Sequence, residues 1–442
     1  MSKVTIVDAM CGRGKTSWAI QHMNKHSDKR FIYITPFLDE VERVKTNCTN
    51  INFYEPNNNN KKRSKLESFN KLLSEEKNIV STHALFSMVN EDTLTYLENY
   101  GYTLILDEVF DVIEEINISK SDREVLFNNN MISIDSQTSK ISWIDEDYDG
   151  KLNEYRKQIE NGDVYYMEEN NGKSKFMFWT FPISILSALE HTYILTYMFK
   201  GQLQRYYYDY HNVSYQYKSV ESYEDEKWEG TNGIVTTTKY RLCNYEQEDI
   251  SYLIPLIRIY EGNLNKIGNE PTDKRKSSPL CKNWYKKNSN SANMDILQKN
   301  TQNYFINIVK CIEDNEGNSF DSNAKFNMWS TYKDYKGKVK GKGYKGSNKN
   351  ITFVSFNARA TNEYKHKTNL AYLVSPWNSP SIIKFFTSND IEVNEDIWAL
   401  SMLVQWIFRS AIREGKPINI YIPSERMRNL LIQWLMGEIE LK

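Results

Sequence analysis

The chain has 442 residues, enough for two or three domains with large cores, and its formal net charge at pH 7 is −1. A charge so near zero excludes a molecule-wide attractive field for nucleic acid, so any basic binding surface must be local. The five cysteines lie far apart and form no C-x-x-C pair. This spacing argues against a zinc site or a disulfide framework and predicts a reducing, cytoplasmic environment. No apolar run approaches the ~18–20 residues of a membrane span, so no membrane is expected among the partners.

The segment Ala9–Thr16, with the sequence A-M-C-G-R-G-K-T, predicts a phosphate-binding loop. The apolar, β-branched run Val4–Val7 before it predicts a buried strand, and Ser17–Gln21 after it predicts the start of a helix. In this context backbone N–H groups and the helix dipole hold phosphate. Lys15 is expected to reach the β- and γ-phosphates, and the Thr16 hydroxyl to hold Mg²⁺. The predicted nucleotide ligands are Gly12, Arg13, Gly14, Lys15, Thr16 and Ser17.

A second acidic motif stands at Thr103–Phe110, T-L-I-L-D-E-V-F. Two carboxylates at the end of a buried strand are costly unless something compensates their charge, and a phosphate-bound Mg²⁺ would do so. Asp107 is therefore expected to hold the metal, opposite Thr16. Glu108 is expected to orient and deprotonate the attacking water.

Near the C-terminus, the pattern predicts a long helix over Ile397–Ile412, with Arg413 directly after it. Gln405, Arg409 and Arg413 are spaced four apart and would share one face of this helix. Three polar groups in register on an otherwise apolar helix are typical either of an anion site or of a solvated edge.

Taken together, these motifs resemble those of superfamily 2 helicases. Ala9–Thr16 is similar to motif I, Asp107–Phe110 to motif II, and Gln405–Arg413 to motif VI. A narrower likeness, in 357–364 and Gln405–Pro423, is to compact replication DNA helicases of phages of low-GC Gram-positive bacteria. The resemblance implies an α/β fold of two RecA-like (P-loop NTPase) lobes with parallel sheets. The expected domains are residues 1–200 with motifs I–III, including an insertion at about 115–175, and residues 201–442 with motifs IV–VI.

The resemblance also implies that ATP and Mg²⁺ bind in a cleft between the lobes. Gln405 would belong to that site, and either Arg409 or Arg413, with Arg413 slightly favoured, would meet the charge developing at the γ-phosphate. Thr196 would supply the motif III hydroxyl. The expected partners are nucleic acid, DNA in particular, and other phage replication proteins in the host cytoplasm. Nucleic-acid contacts are expected in strand-end turns and in the motif V region, at Thr35, Pro36, Thr82, His83 and Thr361, although His83 is equally typical of a packing residue.

Two further segments are typical either of nucleic-acid binding or of a purely structural role. The first runs from Lys333 to Gly346 and interleaves lysine with glycine and tyrosine. It is typical of a mobile hairpin that binds phosphates, through Lys336, Lys338, Lys340 and Lys342, or of a solvated loop. The second is the tyrosine-rich tract from Tyr206 to Tyr217, which predicts either base stacking or, from its alternation after His211, a half-buried strand.

The sequence therefore favours an ATP-dependent DNA helicase or translocase. The alternative is an ATP-dependent loader or switch that binds nucleic acid or a replication partner without unwinding, although such a protein rarely needs a second α/β lobe with this arginine helix. A purely structural role is disfavoured by the intact Lys15, Asp107 and Glu108. The sequence contains no carboxylate–histidine cluster that would indicate a nuclease.

Overall fold

The computed structural model describes residues 3–61, 63–168, 175–228, 234–271, 277–309, 324–344, 346, 351–357 and 363–442. The chain divides into two compact units. Unit 1 comprises residues 1–246 and 378–393, and unit 2 comprises residues 247–377 and 394–442.

The strands of the described residues form three sheets. In chain order they are β1 Val4–Asp8, β2 Arg30–Thr35, β3 Phe53–Tyr54, β4 Asn78–Thr82, β5 Tyr102–Asp107, β6 Ile113–Glu115, β7 Ile132–Ile134, β8 Lys140–Trp143, β9 Asp163–Glu168, β10 Lys175–Thr180, β11 His191–Thr196, β12 Tyr215–Trp228, β13 Ile234–Asn244, β14 Ile257–Ile259, β15 Asn327–Ser330, β16 Asn369–Tyr372 and β17 Ile418–Tyr421.

Helices surround these sheets. The α-helices are α1 Lys15–Lys25, α2 Leu38–Asn47, α3 Lys65–Ser74, α4 His83–Phe86, α5 Glu91–Tyr100, α6 Lys120–Asn128, α7 Asn153–Glu160, α8 Ile183–Ala188, α9 Leu203–Tyr210, α10 Lys282–Asn288, α11 Ala292–Asn303, α12 Lys336–Val339, α13 Pro380–Thr387, α14 Glu395–Ile407 and α15 Glu425–Leu435. Short 3-10 segments lie at Phe199–Gly201, Ser251–Leu256, Asn263–Gly268, Ala324–Phe326, Lys333–Tyr335 and Ala411–Glu414, and α11 runs into a π-helical turn at Tyr304–Ile308. No helix among the described residues combines the length and the apolar character needed to cross a bilayer.

The main sheet of unit 1 has the strand order β13-β12-β1-β11-β5-β2-β4-β3, and only the β12–β13 pair is antiparallel. Its central strands are buried along almost their whole length, as expected for parallel strands covered on both faces. β11 lies between β1 and β5, in parallel register with both. The carboxyl ends of these three strands therefore meet at one edge of the sheet.

The insertion expected in the first lobe is present, and it is a small domain of its own sheet. Strands β6-β10-β9-β8-β7 form an antiparallel sheet, with α6 and α7 beside its core. Within this domain α7 is followed by β9 and β10, which pair antiparallel over their whole length.

Unit 2 is built on a fully parallel sheet with the order β14-β17-β16-β15. Its register is fixed by a buried ladder of asparagine side chains. Asn419 Nδ2 donates to Asn369 Oδ1 at 3.1 Å, and Asn369 Nδ2 donates to Asn327 Oδ1 at 3.2 Å. Both units thus contain parallel sheets flanked by helices, which confirms the predicted α/β class with two parallel-sheet units and an insertion in the first.

Three local expectations need correction. The boundary between the units falls after Glu246 rather than at 200, because β12 and β13 extend the sheet of unit 1. The tract from Tyr206 to Tyr210 lies in α9, with Tyr206, Tyr207 and Tyr208 buried in the core, whereas the strand begins at Tyr215. The lysine–glycine segment is not a hairpin: Lys333–Val339 is helical, because Val339 and Tyr344 anchor it in the core of unit 2.

Candidate nucleotide site and candidate nucleic-acid contacts

The loop between β1 and α1 has the backbone shape that phosphate binding requires. Gly12 and Gly14 both have positive φ, 87° and 90°, in a region that residues with a Cβ rarely adopt. Lys15, the first residue of α1, is 8% exposed, and its ammonium donates to the carbonyl oxygens of Ala9 and, at 3.2 Å, Met10. The ammonium is thus held at the loop by two neutral acceptors, which phosphate oxygens could replace.

Asp8 supports this loop from below, and the sequence analysis did not single it out. Its buried carboxylate accepts the backbone N–H groups of Met198 at 3.0 Å and Phe199 at 2.9 Å. The Ala9 N–H donates to the Thr196 carbonyl at 3.0 Å. These bonds join the start of the loop to the end of β11, 190 residues later, so no local pattern could have revealed them.

Asp107 ends β5 in a buried and negatively charged environment. Burial, Glu108 and Glu40 together raise the pKa of its carboxyl to about 7, while the Tyr33 hydroxyl and Lys15 oppose the rise. Tyr33 is itself fully buried, and burial beside Asp107 raises the pKa of its phenol well above the ordinary value. A divalent cation at Asp107 would compensate the negative charge that Lys15 leaves unbalanced, so the residues present fit the Mg²⁺ site expected at Thr16 and Asp107.

Glu108 adopts a strained backbone that directs it away from the strand. Its φ is +67°, and its N–H donates to the Leu195 carbonyl at 2.9 Å. The Thr196 hydroxyl donates to Glu108 Oε2 at 3.4 Å. Backbone strain of this kind costs of order 1–3 kcal/mol and is concentrated at functional sites. Thr196, the expected motif III hydroxyl, is therefore a direct neighbour of the expected catalytic base.

His83 does not lie on a surface, which corrects its expected contact with nucleic acid. The ring is 5% exposed, its Nε2 lies 3.1 Å from the Asp107 carbonyl oxygen, and it packs edge-on against Phe110. Phe110, at the last position of D-E-V-F, also packs against Phe86 and Phe181. The motif thus ends in an aromatic cluster inside unit 1, and His83 supports the backbone of Asp107, the acid expected to hold the metal.

A charged pair on α2 approaches the same site. Arg43 donates to both carboxylate oxygens of Glu40 at 3.1–3.3 Å and to the Ser17 hydroxyl at 3.4 Å. Glu40 contributes to the raised pKa of Asp107. α2, the helix that follows the predicted contacts Thr35 and Pro36, therefore interacts with α1 through Ser17 and with the end of β5 through the charge on Asp107. No local sequence pattern indicated these interactions.

The predicted strand-end contacts differ in exposure. Thr35 is fully buried, and its hydroxyl accepts the Phe37 N–H at 3.4 Å, so its side chain is not available to nucleic acid. Pro36 and Thr82 are partly exposed and remain candidates. Thr361 lies outside the described residues.

Unit 2 does not place its three expected phosphate contacts on one helix face. α14 ends at Ile407 because the Ser410 hydroxyl and N–H both bond the Ile407 carbonyl, and the Ala411 N–H then bonds the Lys367 carbonyl. Gln405 is half-buried within α14, whereas Arg413 is exposed in the 3-10 turn. Arg409 lies between them, 4% exposed, near Tyr364 and Tyr372. Arg413 is thus the accessible arginine of the two.

The four lysines of the lysine–glycine segment are exposed, two of them with partners inside unit 2. Lys338 donates to the Ser289 carbonyl at 2.7 Å and to Asn290 Oδ1 at 2.6 Å. Lys336 lies 4.5 Å from the centre of the Phe353 ring. Lys340 and Lys342 are exposed as well, as is Lys333 at the start of the segment.

Comparison with known proteins identifies the family. The model of the YonV C-terminal Rossmann-like domain matches residues 251–435, and that of the YonV middle domain matches residues 113–179. The SPbeta prophage-derived uncharacterized protein YonV of Bacillus subtilis (strain 168) is 39% identical over 451 residues, covering 99% of this chain and 100% of that protein. The chain belongs to the YonV family. The YonV middle domain corresponds to the insertion formed by β6–β10. The YonV C-terminal domain corresponds to the part of unit 2 that contains the parallel sheet.

Two solved structures resemble this YonV-family chain over nearly its whole length. An XPD helicase gives a TM-score of 0.44 at 11% identity, covering 98% of this chain and 94% of that one. Xpd4 of S. tokodaii gives 0.43 at 13% identity, covering 99% and 94%.

Proposed function

We propose that the protein is an ATP-dependent DNA helicase or translocase that acts in phage DNA replication or recombination. The observation that carries this proposal is the arrangement at the edge of the unit 1 sheet. The Lys15 loop, the Asp107–Glu108 pair and the Thr196 hydroxyl stand at the carboxyl ends of three neighbouring parallel strands. This set provides a phosphate cradle, a metal-binding acid and a base.

Each residue has a defined task in this proposal. The N–H groups of the loop and the Lys15 ammonium bind the phosphates of ATP, and Thr16 and Asp107 hold the cation. Bound Mg²⁺ would neutralise phosphate charge that develops during hydrolysis. Glu108, restrained by Thr196, accepts the proton of the attacking water. Arg413 is the proposed cation of unit 2 that meets the γ-phosphate.

The test is the ATPase rate of the purified full-length chain, measured alone and with single-stranded DNA, double-stranded DNA or RNA, followed by strand displacement on a forked duplex. We expect hydrolysis that DNA stimulates and unwinding that depends on ATP. Hydrolysis that no nucleic acid stimulates would favour the loader or switch instead. Absence of ATP binding would refute both.

A further inference from the structure

The strands on the two sides of β1 are different. This difference determines on which side of β1 the γ-phosphate of a bound nucleotide lies and on which side its base lies. On one side, β11 and then β5 bring Glu108 and Asp107 to the edge of the sheet. On the other side lies the two-stranded ribbon β12–β13. A γ-phosphate that meets the two acids must lie on the first side. The α-phosphate, the ribose and the base of the same molecule then leave the loop on the side of the ribbon.

The ribbon extends well past the end of β1 on that side. β1 pairs with β12 from Val4↔Tyr215 to Val7↔Lys218, whereas β12 and β13 stay paired from Lys218↔Asn244 to Trp228↔Ile234. At about 3.3 Å per residue, the Ser222↔Tyr240 pair stands roughly 13 Å beyond the last pair of β1. The ribbon therefore rises beside the phosphate-binding loop.

Tyr240 is the ribbon residue that meets this loop. Its ring lies so close to Gly14 that a Cβ at Gly14 would stand 2.1–2.9 Å from three ring carbons. Gln21 of α1 holds the backbone that carries this ring: Gln21 Oε1 accepts the Tyr240 N–H at 2.9 Å, and Gln21 Nε2 donates to the Thr238 carbonyl at 3.2 Å. The helix that begins at the phosphate site thus positions an aromatic ring beside it, and the ring is only partly buried.

We infer that Tyr240, which the β12–β13 ribbon holds beside the loop, is the nucleobase-stacking residue of the nucleotide site. The inference rests on the proposed function and adds the part of the site that binds the base. Stacking on a tyrosine face accepts any base with a large π-surface. The site therefore prefers purine nucleotides and discriminates weakly between ATP and GTP.

The experiment compares the binding of ATP and of inorganic tripolyphosphate, both with Mg²⁺, to the full-length protein. Replacement of Tyr240 by alanine should raise the Kd for ATP about tenfold, or about 1.4 kcal/mol, within the range measured for base–aromatic stacking. The Kd for tripolyphosphate, which has no base, should change less than twofold. Tyr240→Phe should bind ATP like the wild type, and the preference for ATP over UTP should shrink in Tyr240→Ala.

Tyr223→Ala is the matched control. Tyr223 belongs to the same ribbon but pairs with Lys239, so its side chain leaves the ribbon on the face opposite to that of Tyr240. The Tyr223→Ala variant should therefore bind ATP with unchanged affinity. Tyr240→Leu keeps an apolar contact on Gly14 but has no π-face. This variant replaces Tyr240→Ala in the experiment if the alanine variant does not fold. Equal loss of ATP and tripolyphosphate binding, or no loss of either, would overturn the role of Tyr240 while leaving the ATPase intact. A wild type that binds neither ligand would overturn the proposed function itself.

Discussion

The Nε2 atom of His83 lies 3.1 Å from the carbonyl oxygen of Asp107. This hydrogen bond joins the end of β4 to the end of β5, and it fixes the backbone of the acid expected to hold the metal. A histidine placed by resemblance among the nucleic-acid contacts therefore supports the backbone of the candidate metal-binding acid.

His83→Ala should lower the kcat for ATP hydrolysis roughly tenfold, equivalent to a loss of about 1.4 kcal/mol, because Asp107 loses a support. Single-stranded DNA affinity, measured by fluorescence anisotropy without nucleotide, should stay within twofold of the wild type. The matched variant is Thr82→Ala, whose side chain is partly exposed and should show the opposite pattern, with weaker DNA binding and unchanged basal hydrolysis. Weaker DNA binding in His83→Ala would instead support the contact between His83 and nucleic acid that the resemblance implies.

Glu108→Gln should preserve ATP binding and cut turnover about 10²-fold or more, because the water loses its base. Lys15→Ala should weaken ATP binding and turnover together, since its buried ammonium is the cation expected to reach the β- and γ-phosphates. Equilibrium binding of ATP and steady-state hydrolysis, measured side by side, separate the two effects. A wild-type hydrolysis rate in Glu108→Gln would show that the base lies elsewhere.

Asp107→Asn should stabilise the metal-free protein in a pH-dependent way while abolishing hydrolysis. The pKa of the native carboxyl is raised to about 7 from its ordinary value of 3.8, so the unfolded state loses its proton first as the pH rises. The wild type thus loses stability between about pH 4 and 7, and the asparagine variant does not. The difference in the free energy of unfolding should grow from near zero at pH 4 to about 2–4 kcal/mol above pH 7.5.

Urea unfolding in EDTA at pH 4.5, 6 and 8 measures that difference. The exposed Asp111→Asn is the control for removal of one negative charge from the same loop. A difference between wild type and Asp107→Asn that is constant over this pH range would contradict the buried-carboxyl explanation.

The two arginines of unit 2 should behave differently when replaced. Arg413→Ala should fold normally, because the side chain is exposed, and should lower DNA-stimulated hydrolysis by up to about 10³-fold if Arg413 meets the γ-phosphate. Arg409→Ala should lower the free energy of unfolding by about 2–5 kcal/mol, because a large buried side chain is removed. Thermal melting measures the stability of both variants, and the rate of ATP hydrolysis measures their activity. Together the two measurements separate the role of Arg409 from that of Arg413. A normal rate in Arg413→Ala would remove it as the arginine finger.

Replacing Lys336, Lys338, Lys340 and Lys342 by alanine should weaken DNA binding at all sequences alike. Each lysine that meets a phosphate contributes about 0.9 to the slope of log affinity against log salt on duplex DNA, or about 0.7 on a single strand, so the slope should fall by about 2–3 units. Basal hydrolysis should be unchanged, and DNA stimulation should fall.

The control removes four exposed lysines of the insertion, Lys120, Lys151, Lys157 and Lys175, and changes the net charge equally. If both quadruple variants give the same salt slope, the lysine–glycine segment is an ordinary solvated surface. The basic residues near Lys61 and Arg63 would then be the next to test.

Local patterns were sufficient to predict the parts of the candidate site that neighbours in the chain form. The loop before Lys15 and the acids after β5 were predicted because strand, turn and helix follow each other directly. Asp8 was missed because its partners, Met198 and Phe199, are distant in sequence. The continuous helix through Arg409 was wrong because Ser410 bonds back to Ile407, a competition that apolar periodicity does not register.

Unit 1 is completed by a part of the chain that is made late. Phe385 and Phe386 of α13 lie in its core, with ring centres 5.1 Å from Phe178 and 5.7 Å from Tyr206 respectively. About 130 residues, 247–377, separate the segment that contains α13 from the rest of unit 1, which is roughly 7–26 s of translation at 5–20 residues per second. During that interval the residues that pack against α13 lack their partner, so unit 1 cannot complete this core before most of unit 2 has been synthesised.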